Sequence, residues 1–101
     1  MKSSRKIRFT ADARADLRDI RRYTAQRWGA RQRDVYDAHL NQAMRSLLDY
    51  PELGPPRDDL FPGCRNLLVE RHIVYYRITN DAIIVGRVLY SSQDPTGKVN
   101  P

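Results

Sequence analysis

Arg65, Arg77 and Arg87 are the side chains of this chain best suited to hold a phosphate, and His72 and Tyr90, in the same stretch, can move a proton. Guanidinium forks match the geometry of phosphate and carboxylate, whereas a lysine offers only a point charge. His72 falls at an expected strand bend, where a structural hydrogen bond is the simpler role. His39 lies at the edge of a helical stripe and reads as a boundary histidine. The single cysteine, Cys64, has no His/Cys cluster around it in sequence, so no metal and no cofactor is expected.

The elements that must position these groups follow from periodicity. Arg65–Thr79 and Ala82–Tyr90 are rich in Val, Ile, Leu and Tyr and carry no proline, which predicts β-strands. Asn80-Asp81 joins them, both types tolerating the positive φ of a two-residue hairpin turn. The first run is too long for one strand, so a break is expected near Glu70–His72. Tyr75 and Tyr76 point to opposite faces, so one is expected in the core and the other on a binding surface. Arg77 and Arg87 are expected near one another on paired strands, as a cationic spot.

Upstream, Arg5–Phe9 can add an edge strand. Thr10 is placed to cap a helix running to Trp28, with Asp12 in its first turn and Gly29 as its stop. Ala13, Leu17, Ile20, Thr24 and Trp28 share one face, which makes Trp28 a core residue closing a helical hairpin. Arg14, Arg18, Arg21 and Arg22 lie along one polar flank, with Asp12, Asp16, Asp19 and Tyr23 along the other. A second helix is expected from Arg31 to Asp49, with Tyr36, Leu40, Ala43, Leu47 and Tyr50 as its apolar stripe and Pro51 ending it. The connector Pro51–Gly63 is loaded with turn formers, and Leu53, Leu60 and Phe61 are its candidate anchors. The tail from Gln93 onward reads as loosely ordered. The helical hairpin on one face of a small antiparallel sheet makes residues 1–101 a single α+β domain.

The formal net charge is +6 and the isoelectric point about 9.9, which favours anionic partners. No apolar stretch approaches the roughly 20 residues that span a bilayer. The lone cysteine fits a reducing, cytoplasmic setting.

Several motifs, in order, carry a family resemblance. They are Asp16-Leu17, Ile20, Tyr23 and Trp28-Gly29, then Tyr36, Leu40 and Leu47, then Pro51-x-x-Gly54 and Gly63-Cys-Arg65. His72-Ile-Val-Tyr-Tyr-Arg77 and Ile84-Val-Gly-Arg-Val-Leu-Tyr-Ser-Ser-Gln-Asp94 complete them. From about Thr10 to Asp94 the chain resembles the ParE toxins of the ParE/RelE superfamily, the toxic halves of bacterial toxin–antitoxin modules. It departs at Tyr90, where ParE chains commonly carry histidine.

The resemblance implies an α-hairpin on an antiparallel sheet and a cognate, ParD-like antitoxin whose C-terminal segment folds onto the toxin as a hetero-oligomer. Arg14, Arg18, Arg21, Arg22 and Trp28 are the expected antitoxin contacts. It also implies inhibition of DNA gyrase by binding and poisoning, with no reaction catalysed by the toxin. Arg65, Arg77, Arg87, Tyr90, Gln93 and Asp94 are the expected target contacts. The competing branch, RelE-like ribosome-dependent mRNA endonucleases, needs a base, an acid and phosphate-binding cations, often with a tyrosine or a histidine–tyrosine pair after the last strand. Ser91-Ser92-Gln93 stands there instead, so the non-catalytic branch is preferred. Direct nucleic-acid binding is a secondary expectation.

Overall fold

The computed structural model describes residues 4–99. Its elements are β1 (Lys6–Phe9), α1 (Ala11–Trp28), α2 (Ala30–Ser46), β2 (Arg65–Val69), β3 (His72–Ile78) and β4 (Ala82–Tyr90). Thr10 starts α1 as expected, its hydroxyl accepting from the Ala13 N–H at 3.0 Å. Gly29 serves both helices. Its N–H closes α1 on the Ala25 carbonyl, and its own carbonyl receives the Arg33 N–H of α2. The φ of 92° there is one that a side chain would disfavour. The second helix ends at Ser46, short of the expected Asp49, because Leu47–Leu48 tighten into i−3 turns ahead of Pro51.

The sheet runs β1-β4-β3-β2. Strands β2, β3 and β4 form the expected antiparallel meander, and β1 joins β4 in parallel, so the sheet is mixed. The break near Glu70–His72 is a tight turn with Val69 opposite His72. Glu70 takes φ 54°, the one positive φ among described non-glycine residues. The Asn80-Asp81 turn therefore works differently from the expectation. Thr79 closes it, its N–H donating to the Ala82 carbonyl and its hydroxyl accepting the Ala82 N–H.

Both sheet faces are covered, not one. On the helical face Leu40 and Met44 of α2, and Leu47 just after it, pack with Ala13, Leu17 and Ile20 of α1 against Val74, Tyr76, Ile83, Val85 and Val88. Each fully buried aliphatic side chain there stabilises by about 1.5–3 kcal/mol. On the opposite face the 51–64 connector and the tail lay Phe61, Cys64 and Val99 over Tyr75 and Leu89. Tyr75 and Tyr76 are thus both core, each 1% exposed, and the tail is anchored where it was expected to be loose. Burial pushes the Cys64 thiol up to about 11.

The Pro51-x-x-Gly54 motif is explained by Tyr76. Its hydroxyl donates to the Pro51 carbonyl at 2.7 Å and accepts the Gly54 N–H at 3.0 Å. A Cβ at Gly54 would strike the Asn66 backbone. Of the expected anchors Phe61 is buried and Leu60 packs beside it, but Leu53 is exposed, as is Tyr50 at the end of the α2 stripe. No helix among the described residues is long and apolar enough to cross a membrane.

Candidate functional site

Strand β1 ends at Phe9, opposite Val85, so the edge of β4 beyond that point needs another cover. The first turns of α1 supply it. Thr10 donates its hydroxyl proton to the Gly86 carbonyl at 2.7 Å. Gly86 is the extra residue of a bulge, where Tyr75 pairs with Arg87 and Tyr76 with Val85. Asp16 then takes the next edge donor, its Oδ2 accepting the Val88 N–H at 2.9 Å. The same carboxylate grips Arg87 with both oxygens, at 2.7 Å from Nε and 3.0 Å from Nη2. This bidentate bond pushes the Arg87 guanidinium further above its ordinary range. The remaining Nη1 donates to the Lys98 carbonyl and ties down the tail.

Next to this pair an open cleft of about 1230 Å³ lies between α1, the start of α2 and the end of the β3–β4 hairpin. Its floor is a ring stack. The His72 imidazole meets Tyr36 and Tyr90 edge to face, each with ring centroids 5.5 Å away. The Tyr36 hydroxyl accepts the Arg71 N–H at 3.2 Å and shares a hydrogen bond with His72 Nδ1 at 2.6 Å. Burial, helped by the Arg71 charge, lowers the His72 pKa, and burial raises that of Tyr36, so both are neutral near pH 7.

The rim is aromatic and cationic. Trp28 is 54% exposed, not core as its helical phase suggested. The guanidinium carbons of Arg27 and Arg71 lie 5.9 and 5.7 Å from its ring centroid. Tyr23 and Tyr90 are exposed beside it, Gln32 and Gln93 line the same cleft, and Glu70 bonds His39 at 3.0 Å. Among the described residues no group of three His, Cys, Asp or Glu side chains can hold a metal.

The expected target contacts do not form one site. Arg87, Tyr90 and Gln93 line the cleft, with Trp28 of the expected antitoxin contacts. Asp94 lies in the following turn, its carboxylate held below the usual range by the Thr96 N–H. Arg65 is tied to the Gly54 carbonyl at 2.7 Å, away from the cleft. Arg77 lies on the opposite sheet face, across from Ile84. The expected Arg77–Arg87 cationic spot is absent because Arg87 curls round the strand edge to Asp16. Arg14, Arg18, Arg21 and Arg22 are exposed on α1, and Arg21 reaches Asp37 of α2 at 3.6 Å.

Sequence reading missed Asp16 as a strand-edge partner and Arg71 and Tyr36 as holders of His72. The Asp16 signal was available, since it stands three residues after Ala13 and four before Ile20, on the buried side of the helix.

A helical hairpin across a four-stranded sheet, with a cleft at the strand edge, defines a small α+β domain, and comparison with known proteins gives its family. Residues 7–95 match the family described as ParE toxin of type II toxin-antitoxin system, parDE. Toxin ParE1 of Caulobacter vibrioides is 34% identical over 87 residues, 86% of this chain and 90% of the relative. Toxin ParE of Escherichia coli is 39% identical over 90 residues, covering 85% and 84%. The chain belongs to the ParE toxin family of type II toxin–antitoxin systems. In fold it is similar to the chromosomal ParDE system of P. aeruginosa, with TM-score 0.74 at 20% identity over 86% of this chain and 96% of that one. The E. coli DinJ–YafQ toxin–antitoxin complex is more distant, with TM-score 0.55 at 20% identity over 86% and 92%.

Proposed function

We propose that this toxin acts in the cytoplasm on DNA gyrase, by binding and poisoning it rather than by catalysing a reaction, and that a ParD-like antitoxin neutralises it. The observation that carries this reading is the internal engagement of Arg87, His72 and Arg65, three of the groups expected to do phosphate chemistry. Arg87 is held by Asp16. The Nδ1 of His72 is occupied by the Tyr36 hydroxyl at 2.6 Å. Arg65 braces the connector. What remains open at the cleft is a recognition surface: Trp28, Tyr23 and Tyr90, with Arg27 and Arg71 beside them. Exposed tryptophan flanked by arginine is the composition of a binding hot spot. The antitoxin is assigned to Trp28 and the arginine flank of α1, and gyrase to Tyr90, Gln93 and Asp94 at the mouth, with Arg65 and Arg87 acting through the scaffold.

The test is plasmid DNA incubated with gyrase, ATP and the antitoxin-free chain. Linear DNA appearing only when gyrase and the chain are both present supports poisoning. Undisturbed supercoiling by folded protein overturns it. Cleavage of mRNA on translating ribosomes would instead establish the ribonuclease alternative.

A further inference from the structure

The face of the sheet opposite the helices is covered at only one end. The connector and tail lie over Tyr75 and Leu89, whereas the end nearest the β3–β4 turn carries a lateral row. Arg8 of β1 is in register with Ile84 of β4, and Ile84 with Arg77 of β3. These three side chains share that face, because their neighbours Ile7, Phe9, Tyr76, Ile78, Ile83 and Val85 pack on the helical side. Lys6 lies two residues before Arg8 on the same side of β1. Strand spacing puts the Arg8 and Arg77 backbones roughly 10 Å apart.

Among the described residues none of the three cations has an ion-pair partner. Five of the twelve acids bond elsewhere: Asp16 to Arg87, Asp37 to Arg21, Asp59 to Arg57, Glu70 to His39, and Asp81 to the Thr79 hydroxyl. The Nε of Arg77 is buried with no hydrogen-bond partner at all.

We infer that Lys6, Arg8 and Arg77 form a phosphate-contacting surface for the backbone of duplex DNA, on the opposite side of the sheet from the partner cleft. The chemistry selects duplex over single-stranded RNA, because no exposed aromatic that would stack unpaired bases stands in the row: Tyr23, Trp28 and Tyr90 line the cleft, and Tyr50 follows α2. It selects a polyanion over a folding peptide, because half-buried Ile84 is the one apolar side chain in the row. The inference does not require the gyrase reading. Where both hold, the toxin grips DNA with one face and the enzyme with the other.

Fluorescence anisotropy of the full, antitoxin-free chain with a labelled 20-base-pair duplex tests it, between 50 and 200 mM salt. Three neutralised phosphates give a log–log salt slope near −2.7, so affinity should fall about 40-fold across that range. The double variant K6Q/R8Q, at two exposed strand positions, should leave a slope near −0.9, a fall of about 3- to 4-fold. R14Q/R22Q removes the same charge from the helical side and should keep the wild-type slope. Circular dichroism of both variants checks folding. An equal loss in both double variants, tighter binding to single-stranded RNA or poly-glutamate, or no duplex binding at 50 mM salt overturns the inference. DNA binding without gyrase poisoning would sink the functional reading alone, and poisoning by a chain that never binds DNA would sink this one alone.

Discussion

Replacing Asp16 with alanine should be the most damaging single change near the cleft. The carboxylate accepts three hydrogen bonds, two from the Arg87 fork and one from the Val88 N–H. Its loss strands a guanidinium that is 23% exposed and an edge amide under α1. Breaking a buried ion pair costs about 3–5 kcal/mol, and a charge-assisted hydrogen bond contributes about 1.5–3. Water still reaches part of Arg87, so the lower end applies, about 3 kcal/mol. For a domain this size that lowers Tm by roughly 12–24 °C. Asp16→Asn keeps an acceptor for Val88 and loses the charge, so about half that cost is expected. Urea denaturation of D16A, R87A and the double variant forms a cycle whose coupling should be about 2 kcal/mol, since each single change already abolishes the pair. If D16A costs under about 0.5 kcal/mol with an unchanged m-value, the carboxylate does not hold the strand edge and the account of the site fails.

Trp28→Ala should leave the urea midpoint nearly unchanged and weaken antitoxin binding by about 30-fold or more, read by calorimetry. An unchanged affinity would remove Trp28 from the partner surface. His72, whose pKa lies below its ordinary 6.5, favours the neutral form in the folded chain. The unfolded chain therefore binds the proton first as pH falls, so stability is full above about 6.5 and declines from there toward the folded pKa. His72→Gln should flatten the stability profile in that window, and a profile identical to wild type would contradict the Tyr36–His72 assignment. Cys64, raised to about 11 by burial, should react with a thiol reagent at pH 8 only on unfolding. Fast labelling of native protein would show that the connector does not seal that face.

The helices, the strands, Gly29 and the Glu70 turn were readable because each is a local signal of period, cap or breaker. What escaped depends on contacts distant in sequence. Helical phase put Trp28 on the core face, but the ring stands exposed at the cleft rim, beside Arg71 from the β2–β3 turn. Alternation put Tyr75 and Tyr76 on opposite faces, yet the connector and tail that bury Tyr75 carry no periodicity to announce it. Arg87 looked available because its strand position is surface-like, while the partner that occupies it stands 71 residues earlier in the chain. The motif residues Gly54, Arg65 and Tyr76 were visible as a pattern without a reason, which the connector bonds supply.

Strand β4 is the hub on which the fold closes, and it is synthesised after the other described strands and helices. Strand β1, the α1 cap and the tail all lean on it, and the Thr10–Gly86 bond closes a loop of 76 residues. Pairing this remote is slow to form relative to helices and hairpins. A nascent chain can therefore build its α-hairpin and the β2–β3 hairpin early, yet it has neither cleft nor cationic row until residues 82–90 have joined.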